Sequence, residues 1–142
     1  MHRCLIIDAS PIIRKVTRII LGNFGYEVVE ASNGRDGLAL YRSAPTQLVI
    51  VDARLTDMST LDVLRRIRDS GNASVKVLYC TTEFDIIELQ KAHAAGAHDV
   101  LVKPFDRATL SVKIDALTTA NAGNERPGIY ARLSRSELVR LG

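Results

Sequence analysis

Apolar and polar residues follow two different periods in turn along the first 120 residues. Five short segments are apolar throughout or alternate with polar residues, and they predict strands at residues 3–7, 26–30, 47–51, 75–79 and 99–102. Between these segments apolar residues recur every three or four positions, which predicts helices at residues 11–22, 34–43, 59–68, 84–95 and 108–119. The chain is therefore predicted to alternate strands and helices five times.

Several predicted helices begin with residues that are typical of helix starts. Ser10 precedes Pro11, a pair that fits an N-cap followed by the first helical position. The stretch from Ser59 to Asp62 resembles a capping box, and Asp106 is expected to cap the last helix.

Apolar strands separated by helices are typical of a parallel sheet that is covered on both faces. We therefore predict an α/β fold with a doubly wound, five-stranded parallel sheet. Ligands of such folds bind beyond the carboxyl ends of the strands. Four polar side chains lie at these predicted ends: Asp8, Asp52, Thr81 and Lys103. We expect them to converge although they are far apart in the sequence.

These four side chains fit phosphoryl chemistry. A carboxylate can accept a phosphoryl group, while a hydroxyl and an ammonium can hold its oxygens. The alternative is a structural role in which Lys103 only neutralises two half-buried acids. The positions of the residues do not separate these two interpretations.

Four motifs surround the same residues: Ile6-Ile7-Asp8, Val49-Ile50-Val51-Asp52, Cys80-Thr81-Thr82 and Val102-Lys103-Pro104-Phe105. With these motifs, residues 2–120 resemble the receiver domain of two-component response regulators, which has the flavodoxin-like CheY fold. The resemblance implies the strand order 2-1-3-4-5 and a histidine kinase as a partner. It also implies that Asp52 is the phosphoacceptor, Thr81 the switch hydroxyl and Lys103 the phosphate-binding lysine, with a cis bond before Pro104.

The chain departs from this family at three positions. Receivers carry a second acid after the first strand, where this chain has Ala9, so Mg²⁺ binding at Asp8 and Asp52 is expected to be weak or lost. Arg54 lies two residues beyond Asp52, and its guanidinium is expected to reach both carboxylates in place of the cation. Val100 replaces the aromatic residue of the fifth strand that usually reports phosphorylation. The phosphorylation switch is therefore predicted to be impaired.

The composition is that of a soluble globular protein, with 46% hydrophobic and 25% charged residues among 142. No apolar run approaches the ~20 residues of a membrane span and no signal peptide opens the chain, which predicts a cytoplasmic protein without membrane insertion. Cys4 and Cys80 lie in apolar runs and are expected to be reduced core residues. Two regions are predicted, a receiver domain at residues 1–120 and an extension at residues 121–142.

The extension has four arginines, two glutamates and no lysine. Arginine favours planar, bidentate or stacking recognition, whereas this small charge is too weak for duplex DNA, so no nucleic acid partner is predicted. We interpret the extension as an anion or nucleotide site formed by Arg126, Tyr130, Arg132, Arg135 and Arg140. The alternative is a tail that packs on its own domain without a ligand.

Guanidinium groups bind phosphates and the N7 and O6 acceptors of guanine, and a tyrosine can stack on a base. A receiver with such an extension resembles the Cle group of CheY-like proteins, which bind cyclic di-GMP. The resemblance implies a non-enzymatic signalling adaptor that binds cyclic di-GMP and docks on a partner such as the flagellar motor switch, to which it would be recruited. An ordinary single-domain response regulator phosphorylated on Asp52 is the alternative. Ser134 and Glu137 form a further capping box, but the helix it would start is too short to be stable alone.

Overall fold

A computed structural model describes residues 2–119, in which strands and helices alternate five times. The strands are β1 (His2–Ile7), β2 (Tyr26–Ala31), β3 (Leu48–Asp52), β4 (Lys76–Thr81) and β5 (Asp99–Val102). The helices are α1 (Pro11–Gly22), α2 (Gly34–Ser43), α3 (Thr60–Arg68), α4 (Ile86–Ala95) and α5 (Arg107–Thr119). Every element predicted from the periodicity is present, with ends that differ by at most two residues.

Side-chain caps begin most of the helices. The Ser10 hydroxyl accepts from the Ile13 amide, as the sequence predicted for α1. Asp106 likewise accepts from the Thr109 amide at the start of α5. The predicted start of α4 at residue 84 was wrong, because the Asp85 carboxylate caps this helix and fixes its first residue two positions later.

The capping box predicted at the start of α3 was also wrong. Ser59 occupies the N-cap position, but its side chain makes no capping hydrogen bond. The neighbouring hydroxyl is used in tertiary structure instead, since Thr60 Oγ1 donates to the backbone carbonyl of Asp52 at 2.7 Å. This bond ties the first turn of α3 to the end of β3.

The five strands form one parallel sheet in the order β2-β1-β3-β4-β5. This order confirms the predicted doubly wound α/β fold. Because β1 and β3 lie side by side at the point where the order reverses, the residues that follow them meet in the crevice at their carboxyl ends. The Lys103–Pro104 peptide bond is cis, as expected.

Two apolar layers cover the sheet. Side chains alternate along each strand, so Leu5 and Ile7 join the layer beneath α2, α3 and α4, whereas Cys4 and Ile6 join the layer beneath α1 and α5. Cys4 and Cys80 are buried and free, which confirms their predicted place in the core. Within the described part of the chain, no helix is long and apolar enough to cross a membrane.

One ion pair lies inside this core. Lys113 on α5 is 1% exposed and Asp99 at the start of β5 is fully buried, with 3.3 Å between Lys113 Nζ and Asp99 Oδ1. The same carboxylate oxygen accepts from the Val100 amide at 2.8 Å. The pair therefore links α5 to the edge strand of the sheet through charge rather than through apolar contact alone.

Candidate functional site

The four predicted side chains lie together at the carboxyl edge of the sheet. Asp8 directly follows β1, Asp52 ends β3, Thr81 ends β4 and Lys103 directly follows β5. The residues of β1, β3, β4 and β5 that directly precede these four positions are apolar and buried, so each strand becomes polar where it reaches the edge of the sheet. The convergence predicted from the strand ends is confirmed.

Lys103 joins the two acids. Its Nζ donates to Asp8 Oδ2 at 2.6 Å and to Asp52 Oδ1 at 3.0 Å, and its side chain is only 12% exposed. Short bonds between an ammonium and two carboxylates in a shielded place are the strong class of hydrogen bond. The Lys103 amide also donates to the Thr81 carbonyl at 2.8 Å, which positions the lysine at the edge of β4.

Burial and charge act on the site in opposite directions. Burial lowers the pKa of Lys103, but its hydrogen bonds to Asp8 and Asp52 outweigh this effect and the pKa is raised, so the ammonium stays charged. Burial is the main reason why the pKa of Asp52 is raised, and the nearby Asp8 charge adds to it, although the bond from Lys103 opposes both. Asp52 is therefore a carboxylate whose charge is only partly compensated.

Thr81 is buried in the crevice, but its hydroxyl is engaged in its own loop. The hydroxyl accepts from the Glu83 amide at 3.2 Å and lies 3.3 Å from the Glu83 carbonyl. The described geometry thus places Thr81 beside the lysine without a hydrogen bond between the hydroxyl and either acid.

The prediction that Arg54 replaces the cation was wrong. Arg54 Nη2 lies 3.3 Å from Glu83 Oε2 at the rim of the crevice, and the arginine side chain is 67% exposed. Only its backbone amide bonds to Asp52. The bridging position is taken by Lys103, which directly follows β5 and bonds to both acids.

The donor set does not fit a tightly held Mg²⁺. This ion needs near-octahedral oxygen ligands, and the crevice offers two carboxylates that both already accept from Lys103. The next residue is the exposed Ala9, and Asp8 Oδ1 accepts from the Ser10 amide at 2.8 Å. Among residues 2–119, no cluster of three or more acidic, histidine or cysteine side chains could hold a metal ion.

A second carboxylate organises the loop after Asp52. Asp57 accepts from the Gly34 amide at 2.8 Å and from the Arg35 amide at 2.9 Å, so it caps the first turn of α2 from another part of the chain. These backbone bonds hold the pKa of Asp57 below its usual range. No local sequence motif predicts this contact, since the partners are more than twenty residues apart.

A buried tyrosine lies on β4, the strand next to β5, where Val100 takes the place of the aromatic residue that the receiver family usually has. Tyr79 on β4 is the parallel register partner of Val100 on β5. Its hydroxyl donates to Glu88 Oε1 on α4 at 2.7 Å, and burial together with this acid raises the pKa of the phenol. This link between the sheet and α4 was not predicted, because Tyr79 lies in an apolar strand pattern that carries no sign of a polar partner.

The predicted ligand residues of the extension, Arg126, Tyr130, Arg132, Arg135 and Arg140, lie outside the described residues. The capping box at 134–137 and the proposed boundary of the receiver region at residue 120 also lie outside them.

The raised pKa of Asp52 predicts a pH-dependent stability. The native state holds the Asp52 proton more tightly than the unfolded chain does, so this contribution is full below the ordinary aspartate value of 3.8 and is lost as pH rises through the raised pKa. Because asparagine does not titrate, the melting temperature of Asp52→Asn relative to that of the wild type should rise as the pH increases above about 4. Thermal scans by circular dichroism measure this, and a gain that shrinks as pH rises would contradict it.

The sheet order 2-1-3-4-5, with two acids and a lysine at its carboxyl edge, defines a CheY-like signalling domain. The family model for the response regulator receiver domain matches residues 4–115. The chain therefore belongs to the response regulator receiver domain family.

Two kinds of relative match the chain. The transcriptional regulatory protein KdpE of Mycobacterium tuberculosis is 38% identical over 132 residues, which covers 91% of this chain and 58% of that protein. The chain spans about half the length of the transcriptional regulators that it matches. The chemotaxis protein CheY1 of Helicobacter pylori is 30% identical, and the match covers 84% of this chain and 98% of CheY1.

The fold also matches a solved chemotaxis regulator. The structure of CheY4 of Vibrio cholerae superposes with a TM-score of 0.77 at 31% identity, and covers 82% of this chain and 98% of that one.

Proposed function

We propose that the chain is a signalling adaptor whose receiver fold has a weakened phosphorylation switch. The observation that supports this most directly is the position of Lys103, whose ammonium bonds to both Asp8 and Asp52. A cation already lies between the carboxylates, and Ala9 leaves the crevice without the third acid that would favour Mg²⁺ over the lysine. The receiver fold then serves as a docking surface for a protein partner. The signal that controls docking enters at a site other than Asp52.

Phosphorylation with acetyl phosphate tests this proposal. The wild type should label slowly or not at all at Asp52, and added Mg²⁺ should change this little because the donor set is incomplete. Ala9→Asp should restore Mg²⁺ binding and speed labelling, since it returns a carboxylate next to Asp8. Intact mass spectrometry follows the labelling, and Ala9→Asn is the matched control because it adds similar bulk without charge.

The contrary result would be fast, Mg²⁺-dependent labelling of the wild type. In that case Lys103 gives way to the ion, and the switch is not weakened.

The proposed input is cyclic di-GMP, bound by the arginine-rich extension. Its support is the sequence of the extension, in which four arginines and Tyr130 fall within fifteen residues from Arg126 to Arg140. Guanidinium groups pair with phosphates and with guanine, and a short amphipathic helix gains order when a ligand fixes it. Ligand-induced order would then change how the receiver surface docks on a partner such as the flagellar motor switch. Isothermal titration of the full chain with cyclic di-GMP tests this step.

A second candidate is an ordinary response regulator that a histidine kinase phosphorylates on Asp52. The match to KdpE favours it, because that match covers more of the chain than the described residues do and so continues into the extension. On this hypothesis the extension connects the receiver to an output region. It predicts no heat on titration with cyclic di-GMP and rapid labelling of Asp52.

A further inference from the structure

A polar depression lies between α2 and α3, away from the crevice at the strand ends. It has a volume of about 260 Å³ and is lined by Arg35, Leu38, Arg42, Met58, Asp62 and Arg66. Three of these six residues are arginines, two from α2 and one from α3. The floor is apolar, because Leu38 is buried and Met58 is half-buried.

The arginine side chains of this depression make no hydrogen bond or ion pair with the described residues, although the charge of Arg35 acts on the nearby Asp57 carboxylate. Within residues 2–119, four arginine side chains make no hydrogen bond or ion pair: Arg35, Arg42, Arg66 and Arg107. The first three of them share this one depression. Its single acid, Asp62, already accepts from Arg65 Nη1 at 3.1 Å. The depression is therefore a local excess of positive charge.

The spacing of the arginines fits a ligand with more than one anionic group. Arg35 and Arg42 are seven residues apart, so they lie on the same face of α2 about 10 Å apart along its axis. Arg66, in the last turn of α3, faces them across the depression. This separation is that of the backbone positions, and arginine side chains are long enough to converge from it on one ligand. Guanidinium groups bind phosphates in a bidentate manner, and their charge does not depend on pH in the physiological range.

We propose that this depression binds a phosphate-bearing ligand with two linked phosphate groups, of the class of pyrophosphate or a nucleoside diphosphate. Arg35 and Arg42 hold one side of the diphosphate and Arg66 holds the other, while Leu38 and Met58 support any apolar or planar part. All residues that line the site lie within residues 2–119. The proposal therefore does not depend on the extension or on its binding of cyclic di-GMP.

A ligand in this depression would contact the loop that follows Asp52. Met58 belongs to this loop and lines the depression, and a Cβ on Gly34 would meet the Met58 side chain at 2.6 Å, so the loop packs tightly on α2. Asp57 next to it caps α2. A ligand bound in the depression would therefore directly contact the loop that follows Asp52.

Nuclear magnetic resonance of the methionine methyl groups tests the proposal, with pyrophosphate as the probe. The chain has only two methionines, Met1 and Met58, so the Met58 signal can be assigned with Met58→Leu. Pyrophosphate should shift the Met58 methyl signal in a saturable manner, and Arg66→Gln should weaken binding about tenfold through the loss of a charged contact. Arg107→Gln is the matched control, because Arg107 is equally without partners but lies on α5.

Equal affinity of the wild type and Arg66→Gln would overturn the proposal. So would an equal loss in Arg107→Gln, since that result indicates attraction to diffuse positive charge. The proposal would also be overturned if the Met58 methyl signal does not shift with pyrophosphate but does shift with hexaglutamate. Hexaglutamate represents an acidic protein segment, which would then be the ligand of the depression. Adenosine diphosphate in a parallel titration distinguishes a nucleotide from free diphosphate as the source of the phosphates.

Discussion

Lys113→Met should destabilise the protein by about 3–5 kcal/mol, the range found when one partner of a buried ion pair is removed. The ammonium of Lys113 is 1% exposed and lies 3.3 Å from the buried carboxylate of Asp99. Methionine fills a similar volume, so the loss is electrostatic: the carboxylate stays in the core without its cation. Urea unfolding followed by circular dichroism measures the change in the free energy of unfolding.

Two further variants separate this effect from a loss of packing. Asp99→Asn with Lys113→Met should be less destabilised than the sum of the two single variants, because each single change leaves one charge buried. Lys91→Met, at an exposed position on α4, should change stability by no more than about 0.5 kcal/mol. If Lys113→Met unfolds at the same urea concentration as the wild type, the pair contributes nothing and the core tolerates the carboxylate alone.

Arg132→Ala and Arg135→Ala should each weaken cyclic di-GMP binding by about tenfold to a hundredfold, if the extension is the site. A charged hydrogen bond contributes about 1.5–3 kcal/mol, and each variant removes at least one. The melting temperature without ligand should stay nearly constant, because the ten helices and strands of residues 2–119 contain neither arginine. Ser134→Ala should have a smaller effect of about 1 kcal/mol, since it acts through the helix cap. Isothermal titration supplies the affinities.

The control for the extension is Arg107→Ala, which removes an exposed arginine from the described receiver region. Its affinity should equal that of the wild type. Deletion of residues 126–142 should abolish binding altogether. A shortened chain that binds cyclic di-GMP with full affinity would move the site into residues 2–119, where the crevice at the strand ends is the first candidate.

Local pattern was enough to predict the fold and most of the crevice. Periodicity depends on which side of an element is buried, so it predicted the strands and helices without knowledge of their partners. The rule that parallel strands end at one edge then brought Asp8, Asp52, Thr81 and Lys103 together. The Lys103 bridge itself was one of two open interpretations, and only the distances to both acids show that the neutralising contact exists.

The errors at Arg54 and Ser59 arise from contacts with other parts of the chain, whereas the start of α4 is set by the local Asp85 cap. Arg54 is close to Asp52 along the chain, but Glu83 at the rim offers it a solvated partner, so the guanidinium avoids the cost of burial. Ser59 has the residue pattern of a capping box, yet the adjacent Thr60 bonds to β3 and sets the local geometry. The contacts of Asp57 and Tyr79 were missed for the same reason, because each joins two elements that no local motif connects.

The Asp57 cap makes the start of α2 a reporter of the acceptor loop. The amide protons of Gly34 and Arg35 are shielded from solvent by a carboxylate that belongs to this loop rather than to the helix. Whatever draws the loop outward, whether a phosphoryl group on Asp52 or a ligand beside Met58, uncovers those two protons first. Their hydrogen-exchange rates therefore report the position of the loop, while the Asp36 amide keeps its bond to the Asn33 side chain and the later amides of α2 keep their backbone bonds.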